Sequence, residues 1–279
     1  MRIVDSEEIQ WHTGPGHRDP GIYLRDVLTG QEGGPGNYWL SLIRIESAYD
    51  APIHGHNFDQ VRVMLEGTFN FGEQDQAEGT IGYFCEGTPY TQSARGRSLM
   101  LLLQCEGASA SRFLSQAEMR RGVVELKAAG GDFRDGRYIG PHPLTGAEVT
   151  IDSVEAIWQH IVQEPIAYPP ARYERPVIVH PQAIHPRPIA GAAGASERLL
   201  GLFNERGLRI ALRTLEPGGT HVYDGRTEGS GLLFVTQGEG TLGGADFGYR
   251  FAAEIGAEEA GELVAGADGL TVLVIRLPD

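Results

Sequence analysis

The sequence is short of several things, and each shortage excludes something. It has a single lysine, Lys127, against 22 arginines, and acids outnumber bases to give a formal net charge of -14. An acidic surface repels phosphate backbones, so nucleic-acid binding is disfavoured. There are only two cysteines, Cys85 and Cys105, and no CxxC or Cys/His zinc spacing, so both are expected as free thiols. No apolar run approaches the roughly 18 residues that a membrane helix needs. The start, MRIVDSEEIQWHTG, has acids where a signal peptide has a basic segment and an apolar run, so a cytoplasmic location is expected. GxSxG, a phosphate-binding loop with Lys and Ser/Thr, and GxGxxG after a strand are all missing, as is a helix-turn-helix pattern. Arginine in place of lysine, with abundant alanine and glycine, suggests a bacterial gene of high GC content.

What is present is a chain of 279 residues with 41% hydrophobic residues, long enough for one large or two modest domains. Its 39 glycines and 16 prolines are spread along the sequence. Short strand-like runs separated by Gly/Pro/Asp turns fall near 38–45, 60–65, 68–72, 99–104, 208–215, 231–236 and 270–277. Such spacing predicts an all-β sandwich or barrel. The middle is different. Residues 115–129 (SQAEMRRGVVELKAA) open on a Ser115/Glu118 capping box and close at Gly130-Gly131, which predicts a helix. A second helix is predicted over 152–163, capped by Asp152 or Ser153, with Val154, Ile157, Trp158 and Ile161 on one face. A Pro-rich connector, YPPARYERP, follows. The expected domains are therefore 1–114, a linker over 115–175, and 176–279. Val61 to Gly72 and Leu232 to Gly243 read as a repeat, strand–glycine–strand, with Gly67 matching Gly238 at an offset of 171.

The sharpest feature is His54-Gly55-His56, followed by Gln60 and Gly67. Two histidines at i and i+2 on extended chain point to one side, where both imidazoles can reach one ion. Gln60 begins the next strand and offers a neutral amide oxygen. If Gln60 faces the interior, Arg62 and Met64 do too, while Val61, Val63 and Leu65 face away. An arginine placed there needs a partner: a buried acid such as Glu46 or Glu66, or the carboxylate of a substrate. Tyr90 and Gln92 share a side on a later strand. Trp39, Phe69, Phe71 and Tyr83 are candidates for the mouth or the core. His12 and His17, which precede the barrel, could fold over the mouth.

These residues resemble the first motif of the cupin superfamily, two histidines spaced HxH, an acid four residues on and a glycine seven later, with Gln60 in the place of the acid. The segment 79–90 (GTIGYFCEGTPY) resembles the second motif, with Cys85 at the usual proline and Tyr90 at the usual third histidine. The resemblance implies two double-stranded β-helix (jelly-roll) barrels joined by a short helical linker, that is, a bicupin. It implies one divalent metal in the N-terminal barrel on His54, His56 and Gln60, with Fe(II) favoured and Mn, Ni, Co or Zn as alternatives. Tyr90 could be an anionic fourth ligand, an acid–base group beside the ligands, or a packing residue. In the second unit His221-Val222-Tyr223 stands where HxH is expected, Gly231 at the acid and Gly261 at the third histidine, so no ion is expected there.

Three functions remain open at this point. One is a non-haem Fe(II) oxygenase, a dioxygenase for a small anionic, metal-chelating substrate, with Arg62 orienting a carboxylate and Tyr90 ligating or giving a proton. A second is a metal-dependent isomerase, cyclase or lyase. A third is a non-catalytic barrel that binds a small acid. A homodimer is expected by the same resemblance.

Overall fold

The computed structural model describes residues 1–14, 21–33 and 36–279, so His17 lies outside the described residues. The chain forms two compact units, Trp11–Ile178 and Met1–Gln10 with Val179–Asp279. Each is built mainly of antiparallel strands, so the all-β, two-barrel expectation holds. Among the described residues no helix is long and apolar enough to cross a membrane.

In the Trp11–Ile178 unit one sheet carries, in order, Ile81–Phe84, Asp59–Glu66, Ser98–Cys105, Tyr38–Ile45, Ile22–Thr29 and His12–Thr13. A four-stranded sheet carries Tyr49–His54, Tyr90–Ala94, Thr68–Phe71 and Gln74–Ala77. A single apolar cluster takes Ile43, Met64, Met100 and Leu102 from the first sheet with Tyr49, Phe69 and Tyr90 from the second. The alternation along Asp59–Glu66 is the expected one. Gln60, Arg62 and Met64 face this interior, and Val61 and Val63 are buried on the other side.

The chain passes from the first sheet to the second at Gly67, whose φ is +77°; a Cβ there would lie 2.7 Å from the Arg97 carbonyl oxygen. Only glycine fits such a corner. Its counterpart Gly238 has φ +78° and the same close approach, to the Gly269 oxygen. The repeat extends to topology. Gly231–Leu242 sits between Phe251–Ile255 and Ala260–Arg276 as Asp59–Glu66 sits between Ile81–Phe84 and Ser98–Cys105.

Two helices form as the caps require. Gln116–Ala128 has the full Ser115/Glu118 capping box, and Ser153–Val162 is capped by Asp152, whose side chain accepts from the Val154 and Glu155 amides. Between them lies a three-stranded sheet, Asp132–Arg134, Arg137–Pro141 and Glu148–Asp152, in a stretch expected as linker. Its first turn is Asp135-Gly136, both at positive φ, a hairpin signature.

The units differ from the expected boundaries of 1–114, 115–175 and 176–279 in two places. The helical stretch belongs to the same unit as the first barrel, and within it Leu114, Val123, Ile157 and Trp158 form an apolar cluster separate from the barrel core. The first ten residues belong to the second unit, because Arg2–Asp5 pairs antiparallel with Phe251–Ile255. No local pattern announces a pairing between chain ends.

Candidate metal centre and ligand cavity

The strand Tyr49–His54 pairs with Tyr90–Ala94 so that His54 lies opposite Tyr90. His56 follows two residues on, and Gln60 and Arg62 come from Asp59–Glu66. The five residues singled out from the sequence therefore meet in one place. The two imidazole centroids are 5.2 Å apart with planes at 76°. The Tyr90 ring lies 4.8 Å from that of His54 and 6.1 Å from that of His56. All five side chains are at least nine-tenths buried.

Hydrogen bonds fix what each group can offer. His54 Nδ1 donates to the Pro52 carbonyl oxygen at 2.7 Å, which sets the tautomer and leaves Nε2 as the lone-pair nitrogen. His56 stacks on Phe58 at 4.6 Å. Arg62 Nη2 donates to Gln60 Oε1 and to Tyr90 Oη, both at 2.9 Å, and Nη1 donates to Gln92 Oε1 at 2.8 Å. Gln92 Nε2 in turn donates to Tyr49 Oη at 3.0 Å. The guanidinium also lies over the rings of Phe84, Phe71 and Tyr90, at 4.2, 5.0 and 5.3 Å. Glu46, one acid considered as its partner from sequence, instead accepts from Arg44 at 2.6 Å. Gln60 Nε2 donates to Tyr90 Oη at 2.9 Å. With two donors on its oxygen, Tyr90 keeps its own O–H as the group it can give.

These contacts test whether a divalent ion fits. His54 and His56 fit: they are two neutral nitrogen donors on one cavity wall. Gln60 offers an oxygen that it shares with Arg62. Tyr90 does not fit as a ligand in its phenol form, because its oxygen already accepts twice. Among the described residues no group of three or more His, Cys, Asp or Glu is placed to hold an ion. The set thus suits an ion on two imidazoles and one amide oxygen, with the balancing negative charge brought by a ligand.

His54, His56, Gln60 and Arg62 line a cavity of about 490 Å³; Tyr90, bonded to Gln60 and Arg62, is not part of its lining. Of the four aromatics left open between mouth and core, Trp39 and Phe69 line the cavity; Phe71 packs in the core, and Tyr83 is buried elsewhere with its Oη donating to Asp59 Oδ2 at 2.8 Å. Cys85 does not line it either, and burial pushes its thiol pKa up, so it is no ready thiolate. The rim includes Thr13 and Gly14, next to His12, whose Nε2 lies 3.1 Å from Asp26 Oδ2. The wall missed from sequence is helical: Met119, Val154 and Trp158 face the cavity. Their apolar spacing was visible, but spacing does not say what a helix face will cover.

The second barrel differs at the equivalent positions, and its cavity of about 590 Å³ is lined by Glu197, Arg213, His221 and Glu228. Tyr223 lies opposite Gly261, as His54 lies opposite Tyr90, so Tyr223 and Gly225 stand at the HxH positions. The expected alignment with His221 is two residues off. A Cβ on Gly231, the counterpart of Gln60, would lie 2.2 Å from Tyr223 Oη. The phenol thus fills the equivalent place, and burial pushes its pKa up to about 12. Beside it Arg213 donates to Glu197, Glu228 and His221 Nε2.

Neither a family model nor a curated protein matches the amino-acid sequence. Solved structures do match in fold. A candidate dioxygenase from Nostoc punctiforme is similar over 98% of this chain and 81% of its own, with TM-score 0.64 and 10% identity. The pirin YhhW of Escherichia coli, solved with nickel(II), is similar over 100% and 99%, with TM-score 0.57 and 12% identity. Oxalate decarboxylase from Bacillus subtilis, a Mn(II) protein, is similar over 100% and 78%, with TM-score 0.58 and 14% identity. These are cupin-fold proteins, and the chain has their fold, with two β-barrels.

Proposed function

We propose that the Trp11–Ile178 unit is a metal-dependent enzyme acting on a small anionic substrate, with Fe(II) and O₂ as the first reading. The observation that carries it is the meeting of His54 and His56 with the buried Arg62 cation on one cavity wall. Two imidazoles and an amide oxygen add no negative charge, and Arg62 adds a positive one. A substrate that supplies an oxyanion balances both. The nickel and manganese of the fold relatives support a divalent ion here.

In this reading His54 and His56 hold the ion, with Gln60 Oε1 as a further donor. Iron, when bound, supplies redox chemistry toward O₂; a redox-inert ion supplies Lewis acidity. The chain's own groups do the rest. Arg62 holds the substrate's anionic end, and Gln60 and Gln92 hold Arg62. Tyr90 gives its O–H proton to a developing oxyanion. That spare proton favours a second reading, an isomerase, cyclase or lyase in which proton transfer through Tyr90 is the chemistry. The apolar walls exclude water from all of these contacts.

Elemental analysis of untagged protein purified without chelators tests the reading, beside a His54→Ala/His56→Ala variant. Near-stoichiometric metal that the variant lacks is the expected result. Iron together with substrate-dependent O₂ uptake supports the oxygenase, and turnover without O₂ supports the second reading. No metal, even after anaerobic incubation with Fe(II), Mn(II), Ni(II) and Zn(II), overturns both.

A further inference from the structure

The cavity lies between two separate apolar clusters. One is the barrel interior, with Ile43, Met100 and Leu102. The other belongs to the helical segment, with Met119, Val154 and Trp158. All six line the cavity. The chain crosses from one cluster to the other at Phe113-Leu114, where Phe113 packs edge-on against Phe58 at 5.2 Å. On the strand wall His54 neighbours His56, and Arg62 bonds to Gln60 and Gln92; Tyr49 and Gln104 add further polar groups.

The helical wall is fixed in place. Trp158 Nε1 donates to the Arg112 carbonyl oxygen at 2.8 Å, so its one polar atom is satisfied and its ring is left for apolar contact. Arg112 pairs with Glu118, which is 1% exposed and also completes the capping box on Ser115. The volume is large for a small acid. At roughly 30 Å³ for a water's share of liquid, a two-carbon acid would leave most of the 490 Å³ unfilled.

We propose that this cavity takes a carboxylate with a ring-bearing apolar body. Its oxyanion lies at Arg62, beside Gln60 and Gln92, and its body against Met119, Val154 and Trp158, which set the length accepted. This rests on the reading that Arg62 receives an anion; it does not require the metal. It makes the helical segment a specificity wall of the first barrel rather than a spacer.

The test is calorimetric titration of the full chain with acetate, benzoate, 3-phenylpropionate and 2-naphthoate, and with the matching amides. Each series is run with EDTA and again with Mn(II). Affinity should rise at least tenfold from acetate to the two larger acids, and each amide should bind at least tenfold more weakly than its acid. Trp158→Ala should lose tenfold or more for 2-naphthoate and no more than twofold for benzoate. Should Trp158→Ala fail to fold, Val154→Phe replaces it: this narrows the cavity, so 2-naphthoate should be lost and benzoate kept. Equal losses for short and long acids, equal binding of acid and amide, or no binding of any acid in either series would overturn the proposal. A chain that holds no metal but shows the graded series in EDTA would refute the metalloenzyme and leave this inference standing.

Discussion

Replacing Arg62 by methionine should move two affinities in opposite directions. Arg62 Nη2 lies 2.9 Å from Gln60 Oε1. An ion on that oxygen, at a coordination distance of roughly 2.1 Å, would sit within about 5 Å of the guanidinium. A double and a single positive charge at about 5 Å repel by about 7 kcal/mol at an effective dielectric near 20, and by about 2 kcal/mol in water. The lower figure already exceeds the 1.4 kcal/mol that makes a tenfold change in binding. Arg62→Met should therefore bind metal alone at least tenfold more tightly, and anionic ligands at least tenfold more weakly. Methionine suits the place, since a thioether packs well against the Phe71 and Phe84 rings that now flank the guanidinium. The backbone oxygen of residue 62 keeps its bond from Gln76 Nε2. Co(II) titration followed by its visible absorption, beside a competing chelator, reads the first affinity, and calorimetry with benzoate reads the second. A variant with wild-type circular dichroism whose Co(II) affinity is unchanged or weaker would refute the electrostatic reasoning.

Other expectations concern the fold. Gly231→Ala should destabilise the second barrel by roughly 1–3 kcal/mol or more in denaturant unfolding, because its Cβ meets Tyr223 Oη and Cζ at 2.2 and 2.4 Å. A paired Tyr223→Leu change should recover part of that loss. Burial, then Arg213, holds the His221 pKa below the ordinary imidazole value. The unfolded chain therefore gains a proton that the folded chain refuses, and stability falls as pH drops below roughly 6.5. His221→Gln, which keeps an acceptor for Arg213, should flatten that part of the pH–melting profile. Glu197 acts lower on the scale. Burial raises its pKa, but the hydrogen bonds from Arg213 and Arg209 outweigh this and hold it down, so its contribution is lost only as pH falls through the depressed value. Ser115→Ala removes the side-chain bond to the Glu118 amide and should cost about 1 kcal/mol in the same unfolding experiment.

Much of the site was legible in the sequence because strand alternation is strict. Gln60, Arg62 and Met64 face together, since a period of two leaves no other choice once one member points inward; His56 lies past the end of the strand Tyr49–His54, yet lines the cavity with His54. The helix starts were legible for a similar reason: Ser115 and Asp152 satisfy amides that a helix must leave open. What failed depends on distant or irregular geometry. The pairing of Arg2–Asp5 with Phe251–Ile255 has no local signature. The two-residue misplacement at Tyr223 arose because a histidine was matched to a histidine: the offset of 171 carries His54 to Gly225, and the strand pairing puts Tyr223 in its place. Tyr90 and Gly261 keep the offset of Gly67 and Gly238, yet Gln60 pairs with Gln104 while Gly231 pairs with Arg276, one residue further on. The Asp135-Gly136 hairpin had a readable turn, and the helical face of Trp158 a readable stripe. Neither pattern says which surface it will cover.

A buried arginine can be made tolerable in two ways, and the two barrels use one each. In the second barrel Arg213, 4% exposed, is bonded to the carboxylates of Glu197 and Glu228 and to His221. Charge is cancelled by charge within the chain, and Tyr223 occupies the space beside Gly231. Such a network gains nothing from an incoming anion, which would have to displace two carboxylates already in place. In the first barrel Arg62, 5% exposed, donates to the neutral Gln60, Gln92 and Tyr90 and lies over aromatic faces. These three acceptors carry no formal charge, so an oxyanion entering the adjoining cavity is attracted to Arg62 without displacing a carboxylate from any of these bonds. The difference comes down to a few positions. Where the second barrel has Glu197 and Arg213 as cross-strand partners, the first has Leu24 and Ile43 in the corresponding pairing. Leu24 and Ile43 present apolar surface to the first cavity where Glu197 and Arg213 present charge to the second.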